Sequence, residues 1–480
     1  MMERGVADIT TTTTTATTTT YDMKFLFLKT IRIDIPLCLY SITCFMYYPI
    51  FQSLIYQKAC LQYVDRIGVD VNCSHPQISS NTKLQAIANW ILLLCSIAIC
   101  SIGIFTSAMI GRLGDTKSRK LALLIPFTGL VLEGVSLVVQ SYFMELSVYW
   151  LVGSEALFSL FGGYMAIFSA FFAYATDSVH SYPPKCRSVV IAVLEGVIGF
   201  GGTIGYLCSF LLKLWGFVGL FTGFLVLYII CFVTVFFLPS LNNSNSVGGT
   251  TYRKDMFGCD FVKFLLQQKR IGAFIALIIA FAISFFTFIG SAHISFYYLK
   301  FRFGWDATLY GFLKGPTQGL STLNVTLFFE IPRPSNFMSK KKVLLIYPLL
   351  RKHHFTDRTL TLIGLVSRAL GRLWLAVAWT TPSTFLLILL DSFTRFAPSG
   401  MRALSASIVP VKNHGSMFTL FGIAEALSNL LAAIVFHTLF PLSLDFMPQL
   451  SFYFLSAAML IPAIIIYRLP EQIRNNTEGI

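Results

Sequence analysis

Twelve apolar runs, each of about the length a helix needs to cross a bilayer, divide this 480-residue chain. They lie at about 31–56, 84–110, 121–140, 146–175, 189–212, 217–239, 271–298, 308–331, 359–378, 384–408, 416–440 and 450–468. Roughly 20 apolar residues span the hydrocarbon core as a helix, which satisfies its own backbone groups without water. Only 12% of the residues are charged and 55% are hydrophobic, whereas a soluble domain carries about a quarter charged. The sequence predicts an all-α polytopic membrane protein of 12 transmembrane helices. Charged residues interrupt the ninth and tenth runs, at Arg368, Arg372, Asp391 and Arg395.

The formal net charge of +14 is not spread evenly. With the N-terminus placed inside, 23 Lys and Arg fall in cytosolic segments, 6 in outer loops and 7 within the bounds of the spans. That partition is the positive-inside pattern and predicts both termini in the cytosol. The basic excess needs no nucleic-acid partner. Predicted units are a disordered Thr-rich tail (1–30), a six-helix bundle (31–239), a cytosolic linker (240–270), a second six-helix bundle (271–468) and a short tail (469–480). A cytosolic insertion at 332–358 interrupts the second bundle. Two six-helix halves around a linker is the layout of the major facilitator fold, in which the halves rock about a midplane cavity.

The sequence has no Walker A loop, nucleophile elbow, HExxH or CxxC pair. It predicts neither an enzyme nor a metal or cofactor site, and it leaves the oligomeric state open. Cys60 and Cys73 share the largest outer loop and are candidates for a disulfide in an oxidising compartment. Asn72 heads a sequon in that loop and is the predicted glycosylation site, whereas the sequons at Asn242, Asn324 and Asn475 face the cytosol or the bilayer.

The loop between the second and third spans, "GRLGDTKSRK" at 111–120, resembles the signature loop of the major facilitator superfamily, roughly G-x-L-A-D-R-x-G-R-K. Gly111, Leu113, Asp115, Arg119 and Lys120 match it. Gly111 and Gly114 suit close backbone approach, and Asp115 with Arg119 suits a latch that breaks when the halves rock. Topogenic charge alone explains Lys117 and Lys120 but not Asp115.

Further stretches resemble solute carrier family 46: "AYATDSV" closing span 4, "RSVVIAVLEGVIGFGGTIGYL" in span 5, "GWDATLYG" entering span 8, and "GSMFTLFGIAEALSN" onward through the last two spans. The resemblance implies a carrier of folates or other bulky organic anions, often driven by protons. It places a proton-coupling carboxylate at Glu195 and an arginine handling substrate at Arg402. There are departures: Leu160 stands where the family has an acid before Phe-Gly-Gly, and Gly304 where it has an outer-loop cysteine. His293 does not align with the family's span 7 histidine and reads as a wetted interface residue.

A carboxylate in lipid is costly when ionised and so suits proton exchange. Glu195 sits mid-span among glycines; Glu155 is a second candidate for proton coupling, and Glu133 and Glu425 are further intramembrane acids. Arg368 and Arg372 share a helix face, as do Asp391 and Arg395. A pairing between these spans satisfies Asp391 and leaves an arginine for an anion, with Arg372 as candidate; equally, these are second-half gating charges. The leading expectation is proton-coupled symport of an organic anion, in a plasma or endolysosomal membrane. The alternative is a transport-inactive receptor or scaffold of the same fold.

Overall fold

The computed structural model describes residues 15–67, 73, 81–179, 184–240, 271–329, 356–409 and 414–469, and their regular structure is entirely helical. The elements are α1 (Thr15–Ile67), α2 (Thr82–Thr116), α3 (Arg119–Tyr142), α4 (Trp150–Leu160), α5 (Gly163–Ser178), α6 (Pro184–Leu207), α7 (Leu211–Phe236) and α8 (Ile271–Phe303). They continue with α9 (Ala307–Phe329), α10 (Asp357–Val377), α11 (Thr381–Thr384), α12 (Leu387–Leu390), α13 (Phe396–Ile408), α14 (His414–Ser443), α15 (Leu450–Ala458) and α16 (Leu460–Arg468). Asn72, the linker from 241, the stretch 330–355 and the tail from 470 lie outside the described residues.

Among the described residues, nine helical stretches are long and apolar enough to cross a membrane. One of them, Val193–Phe236, has 44 residues, about 66 Å of helix and twice a hydrocarbon core. It is two crossings, α6 and α7, joined by a 3-10 turn at Cys208–Phe210 and broken again at Gly216. The 23-residue α9 is an eighth crossing whose mean hydropathy is lowered by Lys314, Gln318 and Asn324. The tenth crossing is assembled from α11, α12 and α13. These additions restore the twelve predicted spans.

Local sequence explains the breaks and ends. In the tenth crossing the amides of Ser392, Thr394 and Phe396 bond to carbonyls three residues back, a tighter winding than the α-helix. Pro398 falls in the first turn of α13, where its missing N–H costs no helical bond. Asn81 caps α2 by accepting from the amides of Lys83 and Leu84, and Thr356 caps α10. One expectation is corrected: α1 begins at Thr15, inside the tract predicted to be disordered. Once a helix is nucleated, adding residues to it is cheap, and "MKFLFLK" bridges the tract to the span.

The first half pairs α1 with α6, α2 with α4 and α3 with α7; the second pairs α8 with α14 and α10 with α13. Small residues decide how closely α1 and α6 approach. A Cβ on Gly201 would stand 2.9 Å from the Cys38 carbonyl oxygen, and one on Gly205 would fall inside the van der Waals range of the Ile42 carbonyl. The halves meet through α2 against α14 and α6 against α9.

The ends of the bundle differ. At one, Cys60 and Cys73 are joined by a disulfide, and the halves are closed on each other. There Lys213, after α6, pairs with Asp306, before α9, at 2.6 Å, and the Tyr297 hydroxyl of α8 donates to the Gln52 carbonyl of α1 at 3.2 Å. Burial disfavours the charge on Asp306, but the Leu309 amide and the Lys213 ammonium outweigh it and hold the carboxyl below its usual range. We call this end the disulfide face.

Charge also fastens α10 to the broken tenth crossing. Arg372 Nη1 meets Asp391 Oδ2 at 2.7 Å, with side chains only 3% and 4% exposed. Arg368, one turn earlier, donates to the Thr394 carbonyl at 3.0 Å and to Ser284 on α8, and lies 4.7 Å from the Phe288 ring centroid.

Two outcomes follow. Gly205→Val overpacks a backbone contact, a change that costs about 1–3 kcal/mol; it lowers the melting temperature of the purified protein, and wild-type melting contradicts the packing described. Arg372→Met strands a buried carboxylate at about 3–5 kcal/mol, whereas combining it with Asp391→Leu restores most of the loss. A double-mutant cycle on thermal unfolding measures this, and additive losses contradict the pairing.

Candidate functional site

The mid-span acid of α6 and the arginine of α13 come together. Glu195 is the twelfth residue of the 24-residue α6, about 16 Å from its start and half-way through a core of about 30 Å. Arg402 Nη1 lies 3.8 Å from Glu195 Oε1, and Arg402 Nη2 donates to Glu425 Oε1 on α14. The guanidinium also sits 5.4 Å from the ring centroid of Phe281. The three side chains keep 36%, 32% and 29% of their surface for Glu195, Arg402 and Glu425, so the cluster is only part-buried at mid-depth. Glu195 belongs to the first half, Arg402 and Glu425 to the second. One cation between two carboxylates joins the halves.

This arrangement has definite chemistry. With all three groups ionised the cluster carries one net negative charge, and a single proton neutralises it. That proton weakens the hold of one carboxylate on Arg402, whose guanidinium can then take a carboxylate or sulfate from elsewhere in bidentate fashion.

Glu155 lies apart from this cluster. It is buried on α4 beside Glu133 of α3, and the Tyr47 hydroxyl of α1 is 2.7 Å from Glu155 Oε1 and 3.1 Å from Glu133 Oε1. A hydroxyl has one hydrogen to give. Tyr47 can donate it to only one of the two carboxylates, which leaves a place for a proton between Tyr47 and the other. The group is a self-consistent place for one proton without any cation.

Arg372, by contrast, is committed to Asp391 and buried, and Arg368 is held by Ser284 and Thr394. Neither of these two arginines is presented to an opening. Lys314 of α9 lies 5.7 Å from the Tyr310 ring centroid on its own helix.

The signature loop forms a junction on the face opposite the disulfide. Arg119 Nε meets Asp177 Oδ2 of α5 at 2.5 Å, so the loop is tied to the end of the fourth crossing. Lys120 stands 5.2 Å from the ring centroid of Phe236. The close approach expected of Gly111 is found instead at Gly114, where a Cβ would lie 2.9 Å from Ala122 Cβ; Gly111 faces open space. The side chain of Asp115 lies outside the described residues. Asn324 is buried with its amide on the Ser392 carbonyl at 2.9 Å, which agrees with an unused sequon.

Sequence reasoning singled out Glu195 and Arg402 but not the partner that matters most to them, Glu425. It also passed over Tyr47, Glu133 as a partner of Glu155, and Asp177. Intramembrane acids were visible as such; their pairing depends on helix contacts that no single run displays.

No protein-family model matches the chain. Among curated proteins, it is 26% identical over 361 residues to the lysosomal proton-coupled steroid conjugate and bile acid symporter SLC46A3 of Bos taurus, covering 73% of each. It is 25% identical over 375 residues to the proton-coupled folate transporter of Rattus norvegicus, covering 76% of this chain and 75% of that one. The human organic anion transporter MFSD10 superposes with a TM-score of 0.57 at 15% identity, over 91% of this chain and 98% of that one. The POT family transporter PepTSo superposes with a TM-score of 0.64 at 10% identity, over 94% and 99%. Together with the twelve crossings in two halves, these likenesses make the chain a membrane protein of the major facilitator fold and a relative of solute carrier family 46.

Proposed function

We propose that the chain is a proton-coupled symporter of an organic anion that works by alternating access. The observation that carries this reading is the Glu195–Arg402–Glu425 cluster, which straddles the two halves at mid-depth and is only part-buried. Empty, it bears one net negative charge and repels an anionic cargo. A proton taken by either carboxylate removes the repulsion and frees Arg402 to hold the cargo. Proton and anion together then return the cluster to its starting charge, so the loaded carrier rocks at no greater electrostatic cost than the empty one.

Support comes also from the relatives, whose names describe proton-coupled carriers of folate and of steroid conjugates and bile acids. The Tyr47–Glu133–Glu155 group serves as a second proton site in the first half. Arg119 with Asp177, and Lys120 against Phe236, support a gating role for the signature loop that also carries Gly111 and Asp115. The positive-inside count supports termini in the cytosol, and a disulfide on the opposite face suits an oxidising exterior or lumen. With that orientation the closed disulfide face makes this the inward-facing state.

Uptake into cells or proteoliposomes tests the reading. Glu195→Gln is expected to lower acid-driven uptake of anionic solutes by about tenfold or more, the rate equivalent of about 1.4 kcal/mol, with surface expression unchanged. Equal uptake by variant and wild type across external pH 5.5–7.5 contradicts coupling at this residue.

A further inference from the structure

Two histidines meet inside the seal at the disulfide face. His293 of α8 and His437 of α14 are buried, at 7% and 3% exposure, with His293 Nδ1 3.2 Å from His437 Nε2. Groups of the first half close on both. The Tyr48 hydroxyl of α1 is 3.4 Å from His293 Nδ1, and Asn89 Oδ1 of α2 is 3.2 Å from His437 Nδ1. On its other side His293 Nε2 is 3.1 Å from Asn429 Oδ1, and the Asn429 amide reaches Tyr164 of α5 at 2.8 Å and Cys100 of α2 at 3.3 Å. The sequence placed His293 at a wetted interface; it is instead enclosed where four first-half residues and two second-half helices converge.

These contacts are complete with both rings uncharged. Asn89 gives its amide to the Gln85 carbonyl at 2.9 Å, so its oxygen faces His437 and accepts the Nδ1 proton. His437 Nε2 is then an acceptor, which a neutral His293 fills from Nδ1; this arrangement exchanges the nitrogen and oxygen of the Asn429 amide, so that the nitrogen donates to His293 Nε2 and the oxygen accepts from Tyr164.

Among the described residues, an added proton finds no carboxylate in contact with either ring. The titratable groups that the surrounding helices present are Tyr48, Cys95, Cys100, Tyr164 and Tyr297, all uncharged at neutral pH. The charged groups beyond them are already engaged: Glu155 by Tyr47, Glu425 by Arg402, and Lys300 over the Tyr56 ring. An imidazolium here loses its water without gaining a counter-ion, and a second one would stand against the first across 3.2 Å.

We propose that the His293–His437 pair is a pH-sensitive latch on the disulfide-face gate: the halves close over it only while both rings are uncharged, and protonation from that side opens it. The proposal rests on the reading of the chain as an alternating-access carrier. The closed state binds fewer protons than the open one, so closure is stable above the ordinary imidazole range, about 6.5, and is lost as pH falls through it. Acid outside thereby opens the carrier toward the acid. Glu425, Asn429 and His437 recur at four- and eight-residue spacing along one face of α14, which links the latch to the central cluster.

The test is a distance measurement on the full-length protein in nanodiscs without cargo. Dyes attached through noncanonical residues at Glu145 and Asp445, exposed on the disulfide face of opposite halves, report opening by single-molecule energy transfer. For an ordinary imidazole in the open state, the open-to-closed ratio rises about tenfold per histidine between pH 7.5 and 5.5. In His293→Gln/His437→Gln it is expected to change less than about twofold.

Three outcomes overturn the latch. They are a wild-type ratio that is flat or falls with acid, a rise in that ratio that sets in far from about pH 6.5, and opening in the double variant equal to wild type, which would place the switch on carboxylates. The wild-type titration decides the matter even if the double variant fails to fold. Because no cargo is present, a working latch in a protein that transports nothing would sink the symport reading alone. Acid-driven uptake without pH-dependent opening would sink the latch alone.

Discussion

A charge carried into a bilayer must meet a partner or give up its charge, and most of what is particular to this protein follows from that constraint. Its interior shows three solutions. Arg372 and Asp391 cancel one another out of reach of water. Glu133 and Glu155 lie together with no cation, around one tyrosine hydroxyl. Glu195, Arg402 and Glu425 form a triad with an odd number of charges that is only part-buried. The first solution fixes structure. The other two leave room for a proton, and only the third spans both halves.

The division into halves gives that triad its leverage. α1 packs on α6 through glycines and α10 is pinned to the tenth crossing by an ion pair, so each half is tied together within itself. What joins the halves is polar and reversible: Lys213 with Asp306, Tyr297 with Gln52, the histidine group and the central triad. An interface built of such contacts can break on one face and reform on the other without exposing a large apolar surface.

Much of the fold was legible because crossing a bilayer imposes a length and an apolarity that a sequence displays openly. The ninth and tenth runs form helices despite their charges, though the tenth is broken where Asp391 and Ser392 interrupt its winding. The site was legible only as a set of candidates. Glu195 and Arg402 stood out by motif and by cost in lipid, but Glu425 becomes their partner only when α14 packs beside α13. Arg119 offered Asp115 as the near neighbour in sequence, while the fold supplies Asp177 from 58 residues away. Gly304 removed one expected cysteine pairing, and Cys60 joins Cys73 within the first loop. The two histidines are 144 residues apart, and neither looked remarkable on its own helix.

The central claim is that one proton moves with the anion through the triad. Proteoliposomes with a pH-sensitive dye inside measure this directly when a folate, a bile acid or a steroid sulfate is added outside at equal pH. The account predicts internal acidification that starts with cargo entry, keeps a constant ratio to it, and vanishes in Glu195→Gln. Entry of cargo with no movement of protons would contradict it.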